Sequence, residues 1–232
     1  MCELFGLSSN RDVSVSFTWH GFVKRGRKHR DGWGVAWYVP KFHRRRYIGR
    51  GVALVKEPRP SVNSPIARLL EFGIKSNIVI SHVRYATSGK PSYVNTHPFV
   101  RLLNDVEWVF AHNGDVKRIK SVKLTHYHPV GETDSEHAFC YIMDNLVGIR
   151  NESELFRTIF NVAREIGYYG SFNSFNFLMS NGTYLFAHTN DGRLHYLLRH
   201  PPHRGYVRLI DDEDFGIQLE EMKGDNEFAV LC

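Results

Sequence analysis

The sequence predicts an α+β layered domain. Three observations point there: β-rich runs fill the first half of the chain, two helix-period segments occupy its middle, and strand signals return in the last third. At 232 residues the chain is long enough for one sizeable core, and a single domain spanning 1–232 is expected.

In chain order, the apolar run at 4–8 reads as a short strand that begins almost at the N-terminus. Residue 2 is therefore expected to be held by a sheet and not left to fray. Residues 35–39 and 47–55 read as a hairpin around a basic tip that contains Arg44, Arg45 and Arg46. Ser64 and Pro65 supply an N-cap and a first-turn proline, Ile66, Ala67, Leu69 and Leu70 an apolar face, and Gly73 a stop. Residues 77–85 and 107–112 are β-rich, and each ends in a polar cluster. A helix is expected over about 134–147, with Ala138, Phe139, Ile142 and Leu146 on one side. A second opens with an Asn151/Glu154 capping box and ends at Gly167. Residues 172–180, the Asn181-Gly182 turn and 183–188 read as a hairpin; strands at 193–199 and 206–210 are expected to continue that sheet, and 227–231 to form a last strand.

Composition narrows the function classes. The net charge of +6 is concentrated in 24–30 and 41–50, where a solvated loop and hairpin tip is favoured over a nucleic-acid-binding face because the nearby aromatics alternate like strand residues. No apolar run approaches the ~20 residues that span a membrane, and the opening residues carry no basic leader or apolar signal core, so a soluble cytoplasmic protein is expected. Cys2, Cys140 and Cys232 are widely separated with no CxxC pair, which argues against a disulfide framework and a structural zinc site. His126-Tyr127-His128 offers two metal ligands without a third and reads as a surface loop; Cys140 reads as a small buried hydrophobe. Neither a metal nor an organic cofactor is expected.

Cys2 follows Met1 directly. Removal of Met1 would put a thiol, which titrates near ~8.5, beside an α-amine, which titrates near ~7.7 to 8.0, so the amine can accept the thiol proton near neutral pH. Arg84 stands at a strand end before a Ser88-Gly89 turn, where its planar fork suits either a substrate carboxylate or an ordinary salt bridge. His112-Asn113-Gly114 reads as a hairpin turn, or as the amide and backbone N–H donors of an oxyanion hole. The acidic residues of 131–136 suit a helix N-terminus, and one of them is also a candidate partner for a substrate ammonium group. His97 and His112 read as hydrogen-bonding residues behind the site, and Asn173, Ser174 and Asn176 as polar groups within reach of a substrate.

Together these pieces describe a pocket for an α-amino acid, and the sequence resembles the class-II glutamine amidotransferases of the N-terminal nucleophile hydrolase superfamily. The resemblance rests on Cys2 with Gly6, on 84–89 with Asn95-Thr96-His97-Pro98, on His112-Asn113-Gly114 and on 132–136; Asp31-Gly32-Trp33-Gly34 is similar to the compact YafJ-type branch. It implies a four-layer αββα sandwich, Cys2 as nucleophile, Arg84 and Thr87 at the glutamine α-carboxylate, Asp134 at its α-ammonium, and Asn113 with the Gly114 N–H as oxyanion hole. Ser88 stands where many relatives have histidine, and no acceptor domain follows Cys232, so a separate ammonia-acceptor protein is expected. The substrate that this resemblance implies is glutamine or another γ-glutamyl compound, such as an amide or peptide of a thiol-metabolite pathway. The remaining reading is a catalytically silent amino-acid-binding or basic interaction domain.

Overall fold

A computed structural model of the chain describes residues 2–70, 73–86, 89–169, 173–199, 203–209, 215–222 and 229–231. The first part supplies β1 (Glu3–Ser14), α1 (Ser16–Lys24), β2 (Trp33–His43), β3 (Arg46–Glu57), α2 (Pro65–Leu69) and β4 (Lys75–Val83). The middle supplies β5 (Phe99–Leu103), β6 (Val106–Asp115), α3 (Asp134–Leu146) and α4 (Glu152–Tyr168). The last part supplies β7 (Ser174–Ser180), β8 (Leu185–His188), β9 (Leu197–Arg199), β10 (His203–Leu209), β11 (Phe215–Met222) and β12 (Ala229–Leu231).

The strands form a six-stranded sheet in the order β3-β2-β4-β1-β12-β9, a four-stranded sheet in the order β5-β6-β7-β8, and a separate β10-β11 hairpin. Alternation along β1 shows how the layers arise: Phe5 and Leu7 join an outer apolar layer with Trp19 and Phe22 of α1 and Ala67 of α2. Leu4 points the other way, into an inner layer where Ile78 and Ile80 of the first sheet meet Val109, Ala111 and Leu178 of the second. On the far side of the second sheet, Phe139, Ile142 and Met143 of α3 and Ile159, Val162 and Ile166 of α4 cover Phe110, Phe175 and Phe177. The result is the four-layer αββα sandwich. Burial of each such large side chain contributes about 1.5–3 kcal/mol, and Phe110 and Phe139 stack at 4.9 Å between ring centroids.

The helix starts follow local chemistry. Ser64 accepts from Ala67 N–H with Pro65 as the first helical residue, Thr133 accepts from Glu136 N–H, and Asn151 accepts from Glu154 N–H. The sandwich departs from the sequence reading elsewhere. Strand β1 runs on to Ser14 through a register shift between Ser8 and Val13. The unpredicted α1 is fixed by Trp19, whose indole N–H donates to Ala67 O at 2.7 Å. The second sheet acquires β5, joined to β6 through Asn104 and Asp105, both at positive φ (51° and 62°). Asn113-Gly114 is no turn: β6 continues through it, with Asn113 paired to Asn176 and Gly114 to Phe175. Strands β9 and β10 do not extend the β7–β8 sheet, because β9 pairs with β12 in the first sheet and β10 with β11. The hairpin tip turns through Arg44 and Arg45 at φ 44° and 66°. No helix among the described residues is long and apolar enough to cross a membrane.

Tyr38 is among the polar side chains that stitch the two sheets. The buried Tyr38 hydroxyl of β2 reaches Ser180 O at 2.9 Å and Glu107 O at 3.0 Å in the second sheet. Tyr38→Phe is expected to lower unfolding stability by about 1–3 kcal/mol with an unchanged denaturant m-value, as measured by urea titration.

Candidate active site

The site is set by strand register. Glu3 pairs with Val83, so the residue before β1 and the residue after β4, Cys2 and Arg84, emerge side by side at one end of the first sheet. The second sheet contributes the end of β6, and α3 contributes its first residue. Cys2, Arg84, Tyr85, Ala86, His97, His112, Gly114, Thr133, Asp134 and Ser135 line one small pocket. A wider surface hollow between Arg27, Arg30, Pro60 and Asn63 presents no thiol, imidazole or carboxylate, so the chemistry belongs to the smaller pocket.

Cys2 is half-buried and held on both sides of its side chain and backbone. Its thiol donates to Tyr85 O at 3.2 Å, Tyr85 N–H donates back to Sγ at 3.3 Å, and Asn113 Nδ2 donates to Cys2 O at 2.7 Å. Burial pushes the thiol above its ordinary value, while the Tyr85 N–H and the Arg84 charge pull the other way. Arg84 is buried; its guanidinium donates to Gly89 O at 2.9 Å and to Asp31 O at 3.4 Å. Asp134 is almost fully buried, and its Oδ2 accepts from Val116 N–H at 2.8 Å.

The structure therefore brings Cys2, Arg84, Gly114 and Asp134 to one pocket. Thr87 and Ser88 lie outside the described residues. Asn113 is adjacent without lining the pocket, because its amide is turned to the Cys2 carbonyl. Gly114 sits at φ 150°, and a Cβ there would collide with Ser174 O, so only glycine lets the two strands close at this point. His112 is fully partnered: Nδ1 contacts Ser135 Oγ at 2.8 Å and Nε2 contacts Ser174 O at 3.3 Å. Asn173, Ser174 and Asn176 brace β6 and do not line the pocket. Asn173 Oδ1 accepts from Lys117 N–H at 2.8 Å, and Asn176 Nδ2 donates to Asn113 O and to Asp191 Oδ2, each at 3.1 Å.

One residue was missed as a contributor to the site. Asp31 accepts from Ala86 N–H at 2.7 Å through Oδ2, and its own N–H donates to Arg84 O at 3.2 Å, so it clamps the turn that carries Arg84 and Tyr85. The Asp31-Gly32-Trp33-Gly34 run was the available signal. Gly34 is needed there because a Cβ would strike His97 O. No three His, Cys, Asp or Glu side chains among the described residues assemble a metal ligand set. The His126 and Tyr127 N–H groups donate to Asp144 Oδ1 at 2.8 and 2.9 Å.

A family model described as class-II glutamine amidotransferases matches residues 1–232. An uncharacterized protein of Methanocaldococcus jannaschii is 41% identical over 98% of the chain, which spans 62% of that relative's length. YafJ of Escherichia coli K12, provisionally assigned as a glutamine amidotransferase, is 38% identical over 94% of the chain and 85% of its own. The crystal structure of a predicted glutamine amidotransferase from Pseudomonas aeruginosa superposes with a TM-score of 0.67 at 29% identity, covering 99% of this chain and 88% of that one.

The two described thiols differ in a measurable way. Iodoacetamide labelling of Cys2 in the chain that retains Met1, followed by peptide mass spectrometry, is expected to accelerate from about pH 7 to about pH 9 as the thiolate forms. Cys140, pushed up to about 11 by burial, lags throughout.

Proposed function

The chain belongs to the class-II glutamine amidotransferases, and from that premise we propose that it hydrolyses the side-chain amide of glutamine through a glutamyl thioester on Cys2. The observation that carries the reading is the convergence of the Cys2 thiol, the Arg84 guanidinium, the Gly114 backbone and the Asp134 carboxylate on one pocket. A free amino acid needs those groups together: a cation for its α-carboxylate, an anion for its α-ammonium, and a nucleophile at the far end of its side chain.

In the proposed sequence, removal of Met1 exposes the Cys2 α-amine, which takes the thiol proton. The thiolate attacks the γ-carbonyl while Arg84 and Thr87 hold the α-carboxylate and Asp134 the α-ammonium. Asn113 carries two amide hydrogens; one is held by Cys2 O, and the second serves the oxyanion together with the Gly114 N–H. Collapse of the tetrahedral adduct breaks the C–N bond and releases ammonia, either to water or to a separate acceptor protein. Water then cleaves the thioester and frees glutamate. Every group used in these steps belongs to this chain.

Ammonia release from glutamine by the Met1-processed protein is the direct test. Cys2→Ala is expected to abolish it, and activity equal to that of the parent chain would refute the mechanism. Asn113→Ala is expected to lower kcat by about 10²–10³, the usual loss when one oxyanion donor is removed, with the effect read from steady-state kinetics.

A further inference from the structure

Three buried imidazoles stand behind the nucleophile, and they are not equivalent. His112 has a partner on each ring nitrogen, whereas His97, only 4% exposed, and His82, fully buried, make no hydrogen bond of ordinary geometry through Nδ1 or Nε2 among the described residues. Their rings lie face to face, with centroids 4.2 Å apart and planes tilted by 35°. The His112 backbone lies beside the His82 ring, whereas no group among the described residues bonds either nitrogen of His97. His97 lines the same pocket as the Cys2 thiol, so its unpartnered edge belongs to the space where a bound molecule reacts. Buried polar atoms in native proteins are nearly always satisfied, so an unpartnered His97 lining a reactive pocket, with His82 packed behind it, points to a small partner that both donates and accepts.

We propose that His97, backed by His82, forms a subsite for the small neutral amine that leaves the γ-carbonyl carbon and that can also attack it from the same side. The inference rests on the amidohydrolase reading above. Ammonia fits the chemistry: it donates to an imidazole lone pair and accepts from an imidazole N–H. Burial holds His97 well below its ordinary value and lowers His82 to about 3, so neither ring carries a proton that would trap the product as ammonium. Water shares this donor and acceptor chemistry and is the competing occupant.

Hydroxylamine separates the two. On a glutamyl thioester its nitrogen lone pair forms the C–N bond, the C–S bond breaks with its electrons returning to Cys2 Sγ, and the proton lost by nitrogen passes to that thiolate, giving γ-glutamyl hydroxamate. Glutamate formation without hydroxylamine is measured first; its absence in the wild-type protein counts against the amidohydrolase reading itself. With that activity present, hydroxamate formation by wild type is expected to saturate with hydroxylamine and to be competed by ammonia. A strictly linear, uncompeted dependence overturns the subsite without using any variant. His97→Phe is expected to lower the hydroxamate-to-glutamate ratio about fivefold, on the scale of one lost hydrogen bond, and His97→Gln, which keeps a donor and an acceptor, to restore part of it. An unchanged ratio in folded His97→Phe, checked by thermal unfolding, or a ratio that rises because water has lost its site, also overturns the proposal.

Discussion

The antiparallel pairing of β1 with β4 is the constraint on which the rest of the molecule depends. Its register, Glu3 opposite Val83, places Cys2 beside Arg84, and a slip of one residue would turn every side chain of β1 to the opposite face. That register is specified twice over. Phe5 and Leu7 must face the outer layer with α1, and Leu4 must face the inner layer between the sheets. Gly6 shares the inner side, where a Cβ would press on Leu178. The chain end that would fray in most proteins is thus set by packing on both faces of a strand with β4 on one edge and β12 on the other.

Beyond the strand, Cys2 is held by one residue's backbone and another's side chain. Tyr85 contributes both its N–H and its carbonyl to the thiol, and Asn113 reaches from the second sheet to the Cys2 carbonyl. Each holder is itself held: Asp31 clamps the turn at Ala86, and Asn176, in register opposite Asn113, bonds its carbonyl and runs on to Asp191. A site on strand ends with this second tier of hydrogen bonds keeps its geometry better than one on free loops.

Much of this was legible in the sequence, and what was not has physical reasons. The caps at Ser64 and Asn151 were readable because each acts locally on the N–H group three residues ahead, as Thr133 also does in α3. The Asn113-Gly114 pair was ambiguous because the same dipeptide that favours a two-residue turn also permits the close approach of Ser174 O to a continuing strand, and only the partner strand decides which. The partners of β9 and β10 were equally invisible, since short strands carry no record of which distant edge they will join. At the site, the residue types were readable, but the division of labour within 132–136 came only from the family resemblance, which pointed to Asp134, and not from the residues themselves. Asp134 faces the pocket, whereas Glu136 turns away to pair with Arg101 at 2.5 Å and to accept from Gly131 N–H at 2.7 Å. That split depends on helix phase against a sheet about thirty residues away in sequence.

The same split explains how the pocket can hold charge. Glu136 is neutralised by a guanidinium, as a carboxylate that is only 2% exposed requires. Asp134 is handled differently: Val116 N–H orients its carboxylate where it lines the pocket. A peptide dipole aims a charged side chain without cancelling its formal charge, so an ion that meets it still gains most of the Coulomb attraction. The Asp134 side of the pocket therefore suits a cationic group, the feature that the proposed reading uses. In the proposed reading the α-ammonium of an amino acid fills that role, and the side chain of the same molecule runs toward Cys2.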